Sequence, residues 1–184
     1  MSLEGERLEP AGPAPVAEHD PVVLDFEDFF RSEYPRLVLL VAALTGSRAV
    51  AEEIAQEAML RAHVRWDRIS RYDLPAAWVR RVAINLASQS RARRRSERTA
   101  LERLHTQPPP AEPYAYGAAE RDFWAVVRQL PRRQAAAVVL HYLEDRPVAQ
   151  VATILGCAEG TAKVHLHRGR AALAHLLDTP ESPS

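Results

Sequence analysis

Apolar residues recur along this chain at the three- and four-residue spacing of helices, and no stretch sustains the alternation of a strand. Asp25 is placed to cap a helix carrying Phe26, Phe29 and Phe30. Pro35 is expected to kink or restart it, and Leu37, Leu40, Val41 and Leu44 carry the stripe on to Gly46, a helix stop. Ser47 then caps a second helix, expected from Arg48 to Ile69, with Val50, Ala51, Ile54, Ala55, Ala58, Ala62, Trp66 and Ile69 inward. Its other side carries Glu52, Glu53, Gln56, Glu57 and Arg61. By composition alone, a solvated surface is the simplest reading of that acidic patch.

A polar loop, Ser70-Arg71-Tyr72-Asp73-Leu74, leads to Pro75 at the first turn of a third helix. There Trp78, Val79, Val82, Ala83 and Leu86 face inward, and Arg81, Asn85 and Ser88 share an outward strip. The helix runs into Arg91–Arg95, a cluster suited to phosphates. Residues 105–118 are dense in proline and lose the periodicity, as a semi-rigid tether would. Beyond them Phe123, Val126, Val127 and Leu130 form a helical face, and Pro131 opens a further helix through Val138, Val139 and Tyr142.

Pro147 to Arg170 reads as two short helices around a tight turn. Val148, Val151, Ala152 and Leu155 line the first, Gly156 ends it, and Cys157-Ala158-Glu159 makes the turn. Ala162, Leu166, Gly169 and Leu173 line the second, and small residues at 152, 156 and 162 permit a close crossing. This is a helix-turn-helix pattern, whose second helix enters the DNA major groove. The opposite face presents Thr161, Lys163, Val164, His165, His167 and Arg168, poor material for burial and good material for a groove. The plain alternative is an ordinary helical hairpin with a solvated face.

The expected architecture is therefore all-α. A tail spans 1–24, one domain 25–104, a linker 105–118, a second domain 119–177 and a second tail 178–184.

The chain of 184 residues has a formal net charge of zero, which argues against a uniformly basic coat. The charges are segregated, however. Residues 1–30 are acidic, whereas Arg80, Arg81, Arg91, Arg93, Arg94, Arg95 and Arg98 crowd residues 78–98 against Glu97 alone. This localises an anionic partner to the middle of the chain. A single Cys157 excludes an intramolecular disulfide and fits a reducing compartment. No apolar run reaches the roughly 20 residues of a membrane span, and the acidic N-terminus is unlike a signal peptide. His165 and His167 point about 200° apart on a helix and cannot share a metal. His63, His105, His141 and His175 show no ligand spacing, and no phosphate loop, nucleophile elbow or carboxylate pair appears. Neither enzyme activity, a metal nor a cofactor is expected.

Three segments in order resemble the extracytoplasmic-function (group-four) sigma factors of bacterial RNA polymerase, particularly an actinobacterial subgroup. AEEIAQEAMLRAHVRWDRI (Ala51–Ile69) and PAAWVRRVAINLASQSRARRR (Pro75–Arg95) are similar to region 2 of that family. LPRRQAAAVVLHYLEDRPVAQVATILGCAEGTAKVHLHRGRAAL (Leu130–Leu173) is similar to region 4.

The resemblance implies a cytoplasmic, non-catalytic subunit that binds core RNA polymerase, through the β′ clamp helices and β flap, and directs it to promoter DNA. It gives the acidic patch of Glu52, Glu53, Gln56, Glu57 and Arg61 a role after all, as the clamp contact. Ser70, Arg71, Tyr72, Asp73 and Leu74 become the loop that captures a flipped minus-ten base, with Tyr72 and Asp73 as wall and polar edge. Arg81, Asn85, Ser88 and Arg91 would track the separated strand and upstream duplex. Gly160, Thr161, Lys163, Val164, His165, His167 and Arg168 would read the minus-thirty-five element.

Ala162, Val164 and His165 depart from the family's usual Val, Ser and Arg, so its base preferences do not transfer. Many relatives are held by an anti-sigma factor, and such a partner is a further expectation. Two other readings stay open: a stand-alone helix-turn-helix regulator, and a sigma-like polymerase-binding regulator without initiation activity.

Overall fold

A computed structural model describes residues 25–103 and 118–178. The expected tail 1–24 lies outside these, as do nearly all of the linker and of the C-terminal tail. The described residues form eight helices. In chain order they are α1 (Phe26–Thr45), α2 (Arg48–His63), α3 (Trp66–Ile69) and α4 (Pro75–Arg103), then α5 (Ala118–Val127), α6 (Arg132–Tyr142), α7 (Val148–Leu155) and α8 (Glu159–Asp178). No strand occurs among the described residues, and none of the helices is long and apolar enough to cross a membrane.

Helix α1 passes through Pro35 without restarting. Proline removes one backbone donor, and the carbonyl this frees belongs to Arg31, on the exposed side, where water can satisfy it. Asp25 stands at the N-cap but makes no side-chain capping bond, and Gly46 ends the helix at φ 74°. Ser47 does cap α2, accepting from the Val50 amide. The second helix is not continuous to Ile69, as the periodicity suggested. It breaks at Val64 and Arg65, and Trp66–Ile69 forms a separate turn. The break lets Trp66 swing onto α1, with its ring 4.8 Å from Phe29 and 5.2 Å from Phe26. Aromatic packing at these distances stabilises by about 0.5–1.5 kcal/mol per pair beyond burial, more than a few residues of extra helix would return.

Helices α1, α2 and α4 pack around Leu37, Leu40, Val41, Ala51, Ala55, Met59, Val79 and Ala83, all nearly inaccessible. Alanines dominate the α2 side and bring its axis close to α1. In the second half α6, α7 and α8 enclose Val138, Val139, Leu140, Val151, Ala162 and Leu166, with Trp124 and Val127 from α5. Gly169 sits where α8 crosses α6, and a Cβ there would lie 2.9 Å from the Val138 Cγ2 methyl. Tyr142, the last residue of α6, is half exposed.

The halves are not separate in space. Helix α1 packs on α5 and α6, α4 packs on α7, and the buried side chains of both halves form one cluster.

Candidate nucleic-acid interface

Gly156 ends α7 in the left-handed conformation, φ 66°, and lets the chain reverse into α8. Glu159, expected in the turn, is the first residue of α8. The inner face of α8 falls as the spacing predicts, with Ala162, Leu166, Gly169 and Leu173 buried. Gly160, Thr161, Lys163, Val164, His167 and Arg168 are consequently exposed, and His165 is half-buried. Lys163 pairs one turn back with Glu159 at 2.8 Å, an exposed contact that holds the ammonium over the start of the helix. Val164 leaves 43% of its surface open. A methyl-bearing side chain between cations, on a helix projecting from a tight turn, is what a major groove accommodates. Partial burial, then the charges of Arg133 and Arg168, push the His165 imidazole below its ordinary pKa.

The loop before α4 presents Arg71, Tyr72, Asp73 and Leu74 to solvent, with Ser70 half-buried at its start. Tyr72 and Leu74 expose 37% and 42% of their surfaces. Exposed apolar surface beside a carboxylate offers an unstacked base both a wall and a hydrogen-bonding edge.

On the outer side of α2, Glu53, Gln56 and Arg61 are exposed, while Glu52 and Glu57 are half-buried. Glu52 and Glu57 pair along the helix with Arg48 and Arg61 at 2.8 and 2.7 Å. Sequence reasoning missed Leu60 and Val64, which lie among these charges 57% and 72% exposed. Glu53, Gln56, Leu60 and Val64 recur at helical spacing along one stripe. Apolar residues at positions where periodicity demands polar ones were the signal available in the sequence.

Helix α4 is the surprise. Arg81, Asn85, Ser88 and Arg91 do share one face, but much of it meets the second half of the molecule. Arg81 Nε donates to the Ile154 carbonyl at 3.0 Å, and its Nη2 donates to that of Thr153. Arg91 donates to the Arg128 carbonyl, and burial lowers its pKa from the ordinary arginine value. Asn85 accepts from Arg132 at 3.2 Å, whereas the Ser88 hydroxyl bonds back to the Ile84 carbonyl of its own helix. Arg133, inside the second half, donates to the Leu155 carbonyl. The last carbonyls of α7, which have no partner within the helix, are thus satisfied by arginines from both halves.

Arg80, counted in the sequence among the basic cluster, is almost wholly buried. Its Nη1 lies 2.6 Å from Glu33 Oε2 of α1, and its Nε lies 2.7 Å from Glu144 Oε2 beyond α6. Burial works against the Arg80 charge, but the hydrogen bond and charge of Glu144, then those of Glu33, outweigh it and raise the pKa. No periodicity argument could have found these three residues, because their partners are far apart in sequence. Among the described residues no group of three or more histidines, cysteines or carboxylates could hold a metal.

Two family models match the chain: sigma-70 region 2 over residues 29–97, and sigma-70 region 4 over residues 120–173. The RNA polymerase sigma-E factor of Streptomyces coelicolor is 31% identical over 157 residues, covering 84% of this chain and 87% of that protein. The ECF RNA polymerase sigma factor SigM of Mycobacterium tuberculosis is 32% identical over 154 residues, covering 83% of this chain and 76% of that one. The fold matches the sigma factor RpoE of Bartonella quintana, solved with the anti-sigma factor NepR. The TM-score is 0.67 at 23% identity, over 85% of this chain and 99% of that one. CnrH, solved with the cytosolic domain of CnrY, matches at a TM-score of 0.61 and 17% identity, over 85% of this chain and 89% of that one.

Proposed function

The chain belongs to the extracytoplasmic-function sigma factors, non-enzymatic subunits that direct core RNA polymerase to promoter DNA, and from that premise we propose how its surfaces divide the work. Residues 25–104 act as the region 2 domain, 119–177 as the region 4 domain, and 105–118 as the tether between them. Glu52, Glu53, Gln56, Glu57 and Arg61 dock on the β′ clamp helices, with Leu60 and Val64 added as the apolar centre of that contact. Charge alone on an exposed helix contributes little; two exposed apolar side chains among the charges supply area to bury.

The loop Ser70–Leu74 takes a flipped minus-ten base. Arg81, Asn85, Ser88 and Arg91 follow the displaced strand, using guanidinium groups for phosphate. On α8, Gly160 and Thr161 meet phosphate at the helix N-terminus. Lys163 and Arg168 contact phosphate or guanine, and Val164, His165 and His167 reach base edges. The region 4 domain also engages the β flap, and a place beside RNA polymerase in the cytoplasm belongs to the same proposal. So does an anti-sigma partner, since the structural neighbour RpoE was solved with one.

The observation that carries this division is the exposed row Thr161, Lys163, Val164, His167 and Arg168, outward over a buried Ala162–Leu166–Gly169–Leu173 face. It is tested by mixing the full chain with core polymerase and chromosomal promoter fragments. A stable complex that initiates at discrete start sites is expected. Binding to duplex operator as a dimer without polymerase would instead identify a stand-alone regulator, and polymerase binding without initiation a regulator of sigma-like form.

A further inference from the structure

Arg80 and Arg81 are neighbours on α4 with opposite surroundings. Arg80 lies between the Glu33 and Glu144 carboxylates, whereas Arg81 donates to the Ile154 and Thr153 carbonyls. Arg81 borders a shallow bowl whose polar rim is completed by Asn85 of α4 and by Arg132 and Arg133 of α6. The bowl spans about 250 Å³, part of it open to solvent, and its floor is Ile84, Ala136, Ile154 and Leu155, all buried. No carboxylate lines it. None of the three rim arginines is in a salt bridge among the described residues.

We propose that this bowl is a binding site for a small phosphate anion, inorganic phosphate or pyrophosphate, held between Arg81 of α4 and Arg132 and Arg133 of α6. The site belongs to the free chain and needs neither polymerase nor promoter DNA to form.

Electrostatics call for an anion here. Arg132 and Arg133 occupy the first turn of α6, which holds no acidic residue, and Pro131 at its N-cap makes no side-chain capping bond. Cations at a helix N-terminus oppose the helix dipole, and an anion beside them reverses that cost. The carbonyl end of α7 offsets only about half an elementary charge, well short of three guanidinium groups. Beyond partial burial, the charge of Arg133 helps to lower the His165 pKa, so it reaches that ring without a carboxylate to neutralise it. Donors are also to spare. Among the described residues Arg81 Nη1, Arg132 Nε and Nη1, and Arg133 Nε and Nη2 make no hydrogen bond within the protein, and the guanidinium fork suits phosphate oxygens. Arg81 is already seated against the turn, since a Cβ at Gly156 would lie 3.2 Å from its Cζ; little ordering is left for the ligand to impose. At the rim Arg132 donates to Asn85 at 3.2 Å and so joins α6 to α4, which fits a compact anion rather than a continuous strand.

The test uses the full free chain and its Arg132→Gln and Asn85→Asp variants, with helix content checked by circular dichroism. Isothermal titration with phosphate and with pyrophosphate, at an ionic strength matched with chloride, measures binding, and NMR of the arginine Nε–H groups locates it. Saturation at one anion per chain is expected, tighter for pyrophosphate, with the Arg81, Arg132 and Arg133 resonances moving together. Arg132→Gln removes one cation and should weaken binding about tenfold, as for a lost charged hydrogen bond. Asn85→Asp sets a carboxylate against Arg132 and should abolish binding. General salting effects of phosphate act alike on all three chains, so the differences between them carry the result. Uptake that does not saturate, or equal affinity in wild type and both variants, overturns the site. So does movement of the exposed Arg65 and Arg68 resonances in place of the three. A single-stranded oligonucleotide that displaces pyrophosphate at equal phosphate concentration would also overturn it, by making the rim part of a strand-binding surface. If Arg132→Gln fails to fold, Asn85→Asp decides by the same readouts.

Discussion

Arg80 and Glu144 are 64 residues apart in the chain, yet the guanidinium Nε of one meets the carboxylate of the other at 2.7 and 3.0 Å in the buried seam between the halves. Removing either partner has unequal consequences. Arg80→Ala leaves Glu33 without its cation and Glu144 with only the longer contact to Arg146 at 3.6 Å, whereas Glu144→Gln leaves Arg80 paired with Glu33. Breaking a buried ion pair costs about 3–5 kcal/mol when a charge is stranded, and about 1.5–3 kcal/mol when one charged hydrogen bond weakens. Urea denaturation should rank Arg80→Ala as the more damaging change; the reverse order would show that Glu33 contributes nothing.

Gly169 gives a second prediction, within the helix-turn-helix half. A Cβ at this position would approach Val138 Cγ2 to 2.9 Å, and Val138 is fully buried. Gly169→Ala should therefore destabilise by about 1–3 kcal/mol through overpacking, in spite of alanine's better helix propensity. Val138→Ala in the same chain should recover part of the loss. A stabilised Gly169→Ala would mean that α6 and α8 separate at little cost.

Leu60 tests the proposed polymerase-facing side of α2. It is 57% exposed, so Leu60→Gln should leave the thermal midpoint of the free chain within a degree or two, the usual range for exposed sites. Affinity for core polymerase should nevertheless fall about tenfold, as for an apolar residue at the centre of an interface. Equal affinity would move the docking surface elsewhere.

His165 carries a pH dependence. Its pKa is lowered in the folded chain by partial burial and by Arg133 and Arg168. A histidine depressed in this way favours its neutral form, so its contribution to stability is complete above the ordinary value of about 6.5 and is lost as pH falls through the lower folded value. Proton NMR titration should place the His165 midpoint below 6.5, and His165→Gln should flatten the fall in stability over that acidic window. A midpoint at or above the ordinary value would contradict the placement of the ring.

What the sequence made legible is what local periodicity encodes. The buried face of α8, the Gly46 and Gly156 helix stops and the Ser47 cap all follow from spacing and residue type. The break after α2 did not, because it depends on Trp66 finding Phe26 and Phe29 on another helix. The seam was illegible for the same reason. Arg80 and Arg81 are adjacent and alike in sequence, yet one is buried between two carboxylates and the other caps a helix 72 residues away. A helical wheel assigns directions but not partners. Motif resemblance proposed residues for promoter contact without indicating that other parts of the chain cover some of them.

The division of labour between the loop before α4 and the recognition helix is tested most directly by footprinting the polymerase complex on promoter DNA, with permanganate to mark unstacked thymines. Wild type should protect two patches and show reactive thymines in the downstream one. Arg168→Ala should lose the upstream protection, and Tyr72→Ala the permanganate reactivity, each leaving the other signal in place. A single protected patch, or both signals lost together in each variant, would contradict separate promoter-reading surfaces.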